Sequence, residues 1–412
     1  MRGYTFRIFV TASIILVATL AVGADICSGC KGTGRIGCGR CFWPFIGKCS
    51  HCTGVYSTTS PSKCTVCRGS QICPGCNGKG LPCMVCKGTG RLPDGTNALI
   101  EARRQEENKA SIRQALQPFQ FLAGEAWSVQ GTQGARAFTG RLKASFMLEG
   151  TWCQIVDQTR YTDGQADDSA VYLTFEPANG TYFMLVLSPP GRLAVLRGPR
   201  PEGGNSIHFE VSGQDHLRLV WQLLPGTGLD SRFEQRQGSG WNRLAWSEIR
   251  RTGAAPAAAP ASSGAMPGLM QRLAYLEGNW SSQGTEKGVA VTGQMACELI
   301  LGGSFLKIRD KSQYSDGRRI EGEALVCGEA DGSTYRMVIL TAPGRSMDLR
   351  GSLSEGGRTI EFRNIGQEDQ MRLLWRLQPP AGLDSALEVN SENGWQTFSS
   401  SRNRRAGAAG QK

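Results

Sequence analysis

The chain has 412 residues, 40% hydrophobic and 20% charged, enough for two or three folded domains and inconsistent with a disordered polypeptide. Three histidines against fifteen cysteines exclude an imidazole-rich metal enzyme and direct attention to cysteine chemistry. The net charge of +11 lies mostly before residue 97, so no basic face for nucleic acid is expected on the remainder.

Residues 1–24 carry Arg2 and Arg7, an apolar run from Ile8 to Val22, and the small residues Gly23 and Ala24. This pattern predicts a cleaved secretory signal, hence a secreted or periplasmic protein with no membrane attachment after cleavage. A membrane anchor is the rival reading, but fifteen apolar residues span only about 22 Å as a helix, short of a hydrocarbon core of about 30 Å.

Residues 25–92 hold twelve of the fifteen cysteines in six Cys-x-x-Cys pairs: Cys27/Cys30, Cys38/Cys41, Cys49/Cys52, Cys64/Cys67, Cys73/Cys76 and Cys83/Cys86. Two thiolates three positions apart on a tight turn both reach one Zn²⁺, and two such turns complete a tetrahedron, so six pairs furnish up to three Cys₄ zinc sites. Three pairs continue into glycines, as in Cys27-Ser-Gly-Cys-Lys-Gly-Thr-Gly34, where positive φ lets backbone amides face the sulfurs. Nine basic residues against Asp25 and Asp94 make the segment +7, which three filled Cys₄ sites would bring close to neutrality. Disulfides among the same cysteines, and a thiol oxidoreductase working through Cys-x-x-Cys, are the competing readings.

The Cys-x-x-Cys-x-Gly-x-Gly repeats at 27–34, 73–80 and 83–90 resemble the cysteine-rich zinc domain of DnaJ-type chaperones. The resemblance implies binding of unfolded polypeptide or partner proteins. It also implies nested metal sharing, with Cys27/Cys30 meeting Cys83/Cys86, Cys38/Cys41 meeting Cys73/Cys76, and Cys49/Cys52 meeting Cys64/Cys67; sharing between sequential neighbours is the alternative. No His-Pro-Asp tripeptide occurs, so no J-domain and no stimulation of a heat-shock ATPase is expected.

Residues 93–117 form a connector whose part from Ala98 to Gln117 is the main helix candidate. The rest is an internal repeat offset by 153 to 154 residues. Ser128-Val-Gln-Gly-Thr132 answers Ser281-Ser-Gln-Gly-Thr285; Pro190-Gly-Arg192 answers Pro343-Gly-Arg345; Gly228-Leu-Asp-Ser231 answers Gly382-Leu-Asp-Ser385; Gly240-Trp241 answers Gly394-Trp395. Two homologous domains follow, 118–252 and 268–405, joined by a Pro/Ala linker at 253–267 and ending in a tail at 406–412. Within each copy the hydrophobic period is two: Leu217, Leu219, Trp221 and Leu223 in the first, Met371, Leu373, Trp375 and Leu377 in the second, with Val171, Leu173 and Phe175 alike. Short strands between Gly, Asn and Asp turns predict an antiparallel barrel or sandwich of about 130 residues per copy, so the chain as a whole is mainly β.

Each copy resembles a bacterial calycin-like barrel family of unknown function, typified by an opening Leu-x-Gly-x-Trp, a Gly-Gly-x-Phe-Leu strand and a closing basic residue. The second copy carries Leu276-Glu-Gly-Asn-Trp280 and Gly302-Gly-Ser-Phe-Leu306; the first reads Leu122-Ala-Gly-Glu-Ala-Trp127 and Glu149-Gly-Thr-Trp-Cys153. The resemblance implies two tandem barrels and no chemistry, and a small apolar ligand within them is the alternative function. A catalytic group of the repeat should recur in both copies. His208 and His216 do not. Asp163/Asp316 and Asp230/Asp384 do, in turn-like contexts where Asp caps its own backbone. Trp127/Trp280 and Trp221/Trp375 read as core. Cys297 and Cys327 are candidates for a bridge between neighbouring strands. The sequence thus predicts an exported, non-enzymatic, zinc-stabilised binding protein.

Overall fold

The computed structural model describes residues 96–201, 203–251, 266–354, 356–365 and 370–406, together with two short strands, β1 (Arg35–Ile36) and β2 (Leu81–Pro82), which pair antiparallel with Ile36 opposite Leu81. The signal segment, all twelve paired cysteines, most of the Pro/Ala linker and the tail after 406 lie outside the described residues.

Two closed antiparallel barrels of ten strands each follow in tandem. The first comprises β3 (Ala126–Gln133), β4 (Arg136–Met147), β5 (Trp152–Tyr161), β6 (Ala166–Glu176), β7 (Thr181–Ser188), β8 (Arg192–Pro199), β9 (Ser206–Val211), β10 (Gln214–Leu224), β11 (Gly228–Gln237) and β12 (Gly240–Arg251). The second comprises β13 (Gly278–Glu286), β14 (Val289–Ile300), β15 (Phe305–Tyr314), β16 (Arg319–Gly328), β17 (Thr334–Thr341), β18 (Arg345–Leu353), β19 (Thr359–Asn364), β20 (Met371–Gln378), β21 (Gly382–Ser391) and β22 (Gly394–Arg405). Every strand pairs with its chain neighbours, and β12 returns to β3 as β22 returns to β13. Of barrel and sandwich, the chain adopts the closed form, which leaves no sheet edge exposed.

Closure needs tight corners. At Gly131 an added Cβ would stand 2.0 Å from the Trp246 carbonyl oxygen, and at Gly284 2.0 Å from that of Ser400, so both strands must carry glycine there. These are the glycines of the two Gln-Gly-Thr segments.

One end of each barrel is plugged from the N-terminal side. Helix α1 (Thr96–Leu116) runs into a 3₁₀ turn (Gln117–Leu122), and its Ile112, Ala115 and Leu116 are buried with Phe119 and Leu122 among the lumen residues. In the second barrel a short helix (Gly268–Gln271) and a 3₁₀ turn (Ala274–Leu276) bring Met270, Leu273 and Leu276 to the same place. The plugs are fastened alike. The Trp127 indole N–H donates to the Leu122 carbonyl (3.0 Å) and that of Trp280 to Leu276 (2.6 Å); the hydroxyls of Tyr182 and Tyr335 donate to the carbonyls of Ala115 (2.7 Å) and Leu269 (3.0 Å). The opening Trp280 also lies opposite the closing Arg405, whose guanidinium sits 5.1 Å above the indole ring.

The outer faces of β5–β7 and β15–β17 are apolar where a solvated barrel would be polar, and they pack on each other. Trp152, Ala170, Tyr172, Phe183, Leu185 and Leu187 meet Phe305, Leu325, Cys327, Val338 and Leu340 in one buried cluster. The arrangement is an internal pseudo-twofold, since Trp152 and Phe305, Tyr172 and Leu325, and Leu187 and Leu340 are repeat equivalents. Trp152 donates its indole N–H across the interface to the Thr341 carbonyl (3.1 Å). The Pro-Gly-Arg turns explain themselves here: a Cβ on Gly344 would strike Thr174 and Ile112 of the first barrel, and one on Gly191 would come 3.0 Å from the Gly328 carbonyl oxygen of the second. Replacing Trp152 by alanine opens a large cavity and removes that bond, so a loss of about 3–5 kcal/mol is expected, measured by denaturant unfolding; a midpoint unchanged from the parent would refute coupling through this face.

Candidate functional site

Strand alternation makes Cys153, Ile155, Asp157, Thr159 and Tyr161 of β5 face the lumen. The first two sit in the apolar half near the plug. Asp157 lies toward the opposite end, formed by the turns β3–β4, β5–β6, β7–β8, β9–β10 and β11–β12. Thr159 donates its hydroxyl to Asp157 Oδ2 (3.0 Å), while Asp157 Oδ1 is buried and has no hydrogen-bond partner among the described residues. Burial pushes the Asp157 carboxyl up to about 7, against the Thr159 hydrogen bond and with further repulsion from Asp167 and Asp168. Burial and Asp168 raise Asp167 as well, so two acids of weakened acidity stand together at this end.

The rim is polar. Tyr161 donates its hydroxyl to Gln133, and the Arg136 guanidinium lies 4.1 Å over the Tyr161 ring while pairing with Asp163 (2.7 Å) and Gln165 (2.6 Å). The lumen wall around Asp157 is apolar: Phe138 stands opposite Tyr161 and Val171 opposite Ile155, and with Val186, Ala194 and Leu219 they point inward and are only partly buried. In a closed barrel, solvent reaches an inward side chain only through the lumen, so this half of the first barrel is open.

The second barrel repeats the acid. Asp310, Ser312 and Tyr314 occupy the positions of Asp157, Thr159 and Tyr161, with Ser312 donating to Asp310 Oδ2 (2.9 Å) and Tyr314 to the buried Glu286. Arg318 lies 4.2 Å over Tyr314, supplied from the β15–β16 turn rather than from the start of β14, where Val289 stands. Here the lumen is filled: Val291, Ala324, Ile339, Met347 and Leu373, equivalent to the five partly buried residues above, are all 5% exposed or less.

This Asp-x-Ser/Thr-x-Tyr recurrence, Asp157-Gln-Thr-Arg-Tyr161 and Asp310-Lys-Ser-Gln-Tyr314, is legible at the repeat offset of 153. The expectation fastened on other aspartates. Asp163 and Asp316 do cap their own turns, accepting from the backbone N–H of Gln165 (3.0 Å) and Arg318 (3.1 Å). Asp230 and Asp384 do not: they lie within β11 and β21 and pair with Arg250 (2.5 Å) and Arg404 (2.8 Å) on the adjacent strand. Trp127, Trp221, Trp280 and Trp375 are lumen core. The expected bridge between Cys297 and Cys327 is corrected: both thiols are free, β14 and β16 are separated by β15, and Cys297 faces the lumen whereas Cys327 faces the other barrel. Burial pushes the thiols of Cys153, Cys297 and Cys327 up to about 12, so none is a reactive thiolate. His208 is exposed on the outer wall beside Ser206. Among the described residues no group of His, Cys, Asp or Glu is arranged to hold a metal; the predicted zinc ligands lie outside them.

No protein-family model matches the chain, and no curated protein sequence matches it. Among solved structures, Rv2717c from M. tuberculosis is 16% identical, covering 34% of this chain and 97% of its own, with a TM-score of 0.27. A protein of unknown function from the DUF3598 family of Nostoc punctiforme PCC 73102 is 11% identical, covering 70% of this chain and 98% of its own, with a TM-score of 0.22. A de novo designed fluorescence-activating β-barrel is 19% identical, covering 32% and 94%, with a TM-score of 0.21.

The Asp157 carboxyl generates a testable pH dependence. Its folded pKa of about 7 stands above the unfolded value of about 3.9, so the native state binds more protons between those limits and stability falls as pH rises through that window. Asp157→Asn keeps the Thr159 hydrogen bond and removes the ionisation. The variant should match the parent near pH 4 and exceed it at pH 8 by on the order of 4 kcal/mol; equal denaturation midpoints at pH 8 would contradict the assignment.

Proposed function

We propose that the first barrel binds a small, mostly apolar ligand in its open half, with a hydrogen-bond donor on the ligand directed at Asp157. The observation that carries this reading is the difference between copies: the same five inward positions are sealed in the second barrel and solvent-accessible in the first. An apolar wall with one buried, unsatisfied acceptor suits a ligand that is greasy along its length and polar at one point. The protein acts by binding rather than by catalysis in this reading. N-phenyl-1-naphthylamine, an apolar probe with a single N–H donor, is expected to bind the full chain saturably with fluorescence enhancement. Val186→Ile combined with Ala194→Met installs the residues found at Ile339 and Met347 and should weaken that binding about tenfold or more; undiminished binding by this variant would exclude the lumen as the site.

The cysteine-rich module supports a second activity. The pairing of Arg35-Ile36 with Leu81-Pro82 joins the stretch between Cys30 and Cys38 to that between Cys76 and Cys83, the topology that nested metal sharing needs and sequential sharing does not. We therefore propose structural Zn²⁺, up to three ions, held by Cys27, Cys30, Cys38, Cys41, Cys49, Cys52, Cys64, Cys67, Cys73, Cys76, Cys83 and Cys86, on an exported chain whose module binds unfolded or partner protein. Metal analysis with a free-thiol count on freshly purified protein should return three zincs and no disulfide among these twelve. Twelve oxidised cysteines without metal would remove this reading and leave the lumen proposal untouched.

A further inference from the structure

The outer wall of the first barrel carries a groove of about 440 Å³ across β10, β11 and β12, lined by Gln222, Asp230, Arg232, Arg243, Trp246 and Glu248. Strand register sorts all of these side chains but Arg243 into two rows. Gln222 stands opposite Asp230 and Asp230 opposite Glu248; two residues along β11, Arg232 stands opposite Trp246. Rows two residues apart on one sheet face are separated by roughly 7 Å, close to the width of a sugar ring. A bulge that skips Leu244, so that Phe233 pairs with Ala245 but Glu234 with Arg243, turns Arg243 onto the same outer face as Trp246.

The polar groups differ in how far they are already committed. Asp230 is held by Arg250 (2.5 Å), and Glu248 accepts from Gln130 (3.3 Å), which fixes both carboxylates while leaving further lone pairs to accept from a ligand. Arg232 and Arg243 have no carboxylate partner among the described residues; Arg243 lies 5.9 Å from the Trp246 ring. Other arginines of the same wall are paired, Arg218 with Glu234 and Arg250 with Asp230. The groove therefore offers a half-buried indole face, fixed acceptors along one row, and two unneutralised guanidiniums, Arg232 beside the indole and Arg243 one row further on, opposite Glu234.

Barrel architecture does not require this set. The equivalent positions of the second barrel hold Arg376, Asp384, Ala386, Thr397, Ser400 and Arg402, so the aromatic face and both unpaired guanidiniums are gone and only the aspartate with its arginine partner persists.

We propose that this groove binds an acidic saccharide. The C–H face of the sugar ring stacks on Trp246, ring hydroxyls donate to Asp230, Glu248 and the Gln222 carboxamide oxygen, and the sugar carboxylate is clasped by Arg232 and Arg243. The site is on the outer wall and independent of the lumen.

The test uses the full chain, with digalacturonate and sialyllactose as acidic probes and galactobiose and lactose as their neutral counterparts, followed by calorimetry and indole fluorescence. At least one acidic probe should bind saturably, about tenfold or more tighter than its neutral counterpart. Trp246→Ser and Arg232→Ala install residues the second barrel carries at Ser400 and Ala386, so each should keep the parent melting temperature while weakening the acidic probe about tenfold. The lumen variant Val186→Ile with Ala194→Met should bind it as the parent does. Absence of saturable binding by both acidic probes, equal affinity for acidic and neutral sugars, full affinity in both groove variants, or loss of affinity in the lumen variant would each overturn the proposal.

Discussion

Ten strands closed into a barrel enclose more cross-section than the eight whose own inward side chains just fill the interior, and the excess volume must be occupied. Both copies meet this constraint at one end in the same way, by drawing the preceding helical segment into the mouth and tying its carbonyls to a tryptophan and a tyrosine of the wall. They part company at the other end. The second copy is sealed and carries Ile339 and Met347 where the first has the smaller Val186 and Ala194 and stays open. The lumen reading rests on that difference in exposure between equivalent inward positions.

The interface between the barrels is a consequence of duplication. Apolar outer faces on β5–β7 and β15–β17 would be a liability on a solvated barrel, yet a tandem copy supplies the self-complementary partner. Strict symmetry is relaxed at its polar positions. Ala170 of the first copy is answered by Glu323 of the second, which is buried beside Tyr172 and Arg309; the Tyr172 hydroxyl accepts from Gln154 (2.9 Å), and burial raises the Glu323 carboxyl. A carboxylate at both equivalent positions would set two buried acids on one contact with a single set of donors.

Much of the architecture was legible because period-two alternation and the repeat offset are strong, redundant signals. Leu219, Trp221 and Leu223 line the lumen as their spacing requires, and the helix anticipated from Ala98 to Gln117 occupies Thr96–Leu116. Closure was not legible, since alternation is the same in a sandwich and in a barrel. The repeated acid was in plain view as Asp-x-Ser/Thr-x-Tyr but lacks the turn residues that drew attention to Asp163 and Asp230. Asp230 then misled for a physical reason: Gly-Leu-Asp-Ser reads as a turn, but the glycine ends the turn and the aspartate already belongs to the ladder, opposite Glu248. The mouth of the first barrel depends on how side chains converge from β4, β6, β7, β8 and β10, where Val186 and Ala194 are smaller than Ile339 and Met347 but Phe138 and Val171 are larger than Val291 and Ala324, a property that no local window contains.

Keeping an acid in a lumen is costly, and the two copies bear that cost differently. In the second barrel Asp310 is sealed among filled space, opposite Gly322 and diagonal to the apolar Ile320, which stands opposite Ser312. In the first, Asp157 has Asp167 in the place of Ile320, and its carboxyl is lifted to about 7, which marks a native state that disfavours the charge and holds the group only partly ionised at neutral pH. Such a group persists where the surrounding structure over-determines it, and the plug, the ladder and the docked second barrel do so here. A ligand donor reaching Asp157 Oδ1 would relieve that unfavourable burial. Binding energy at this point would then come as much from satisfying the acid as from covering the apolar wall, so a ligand matched in shape but lacking the donor should gain little by entering.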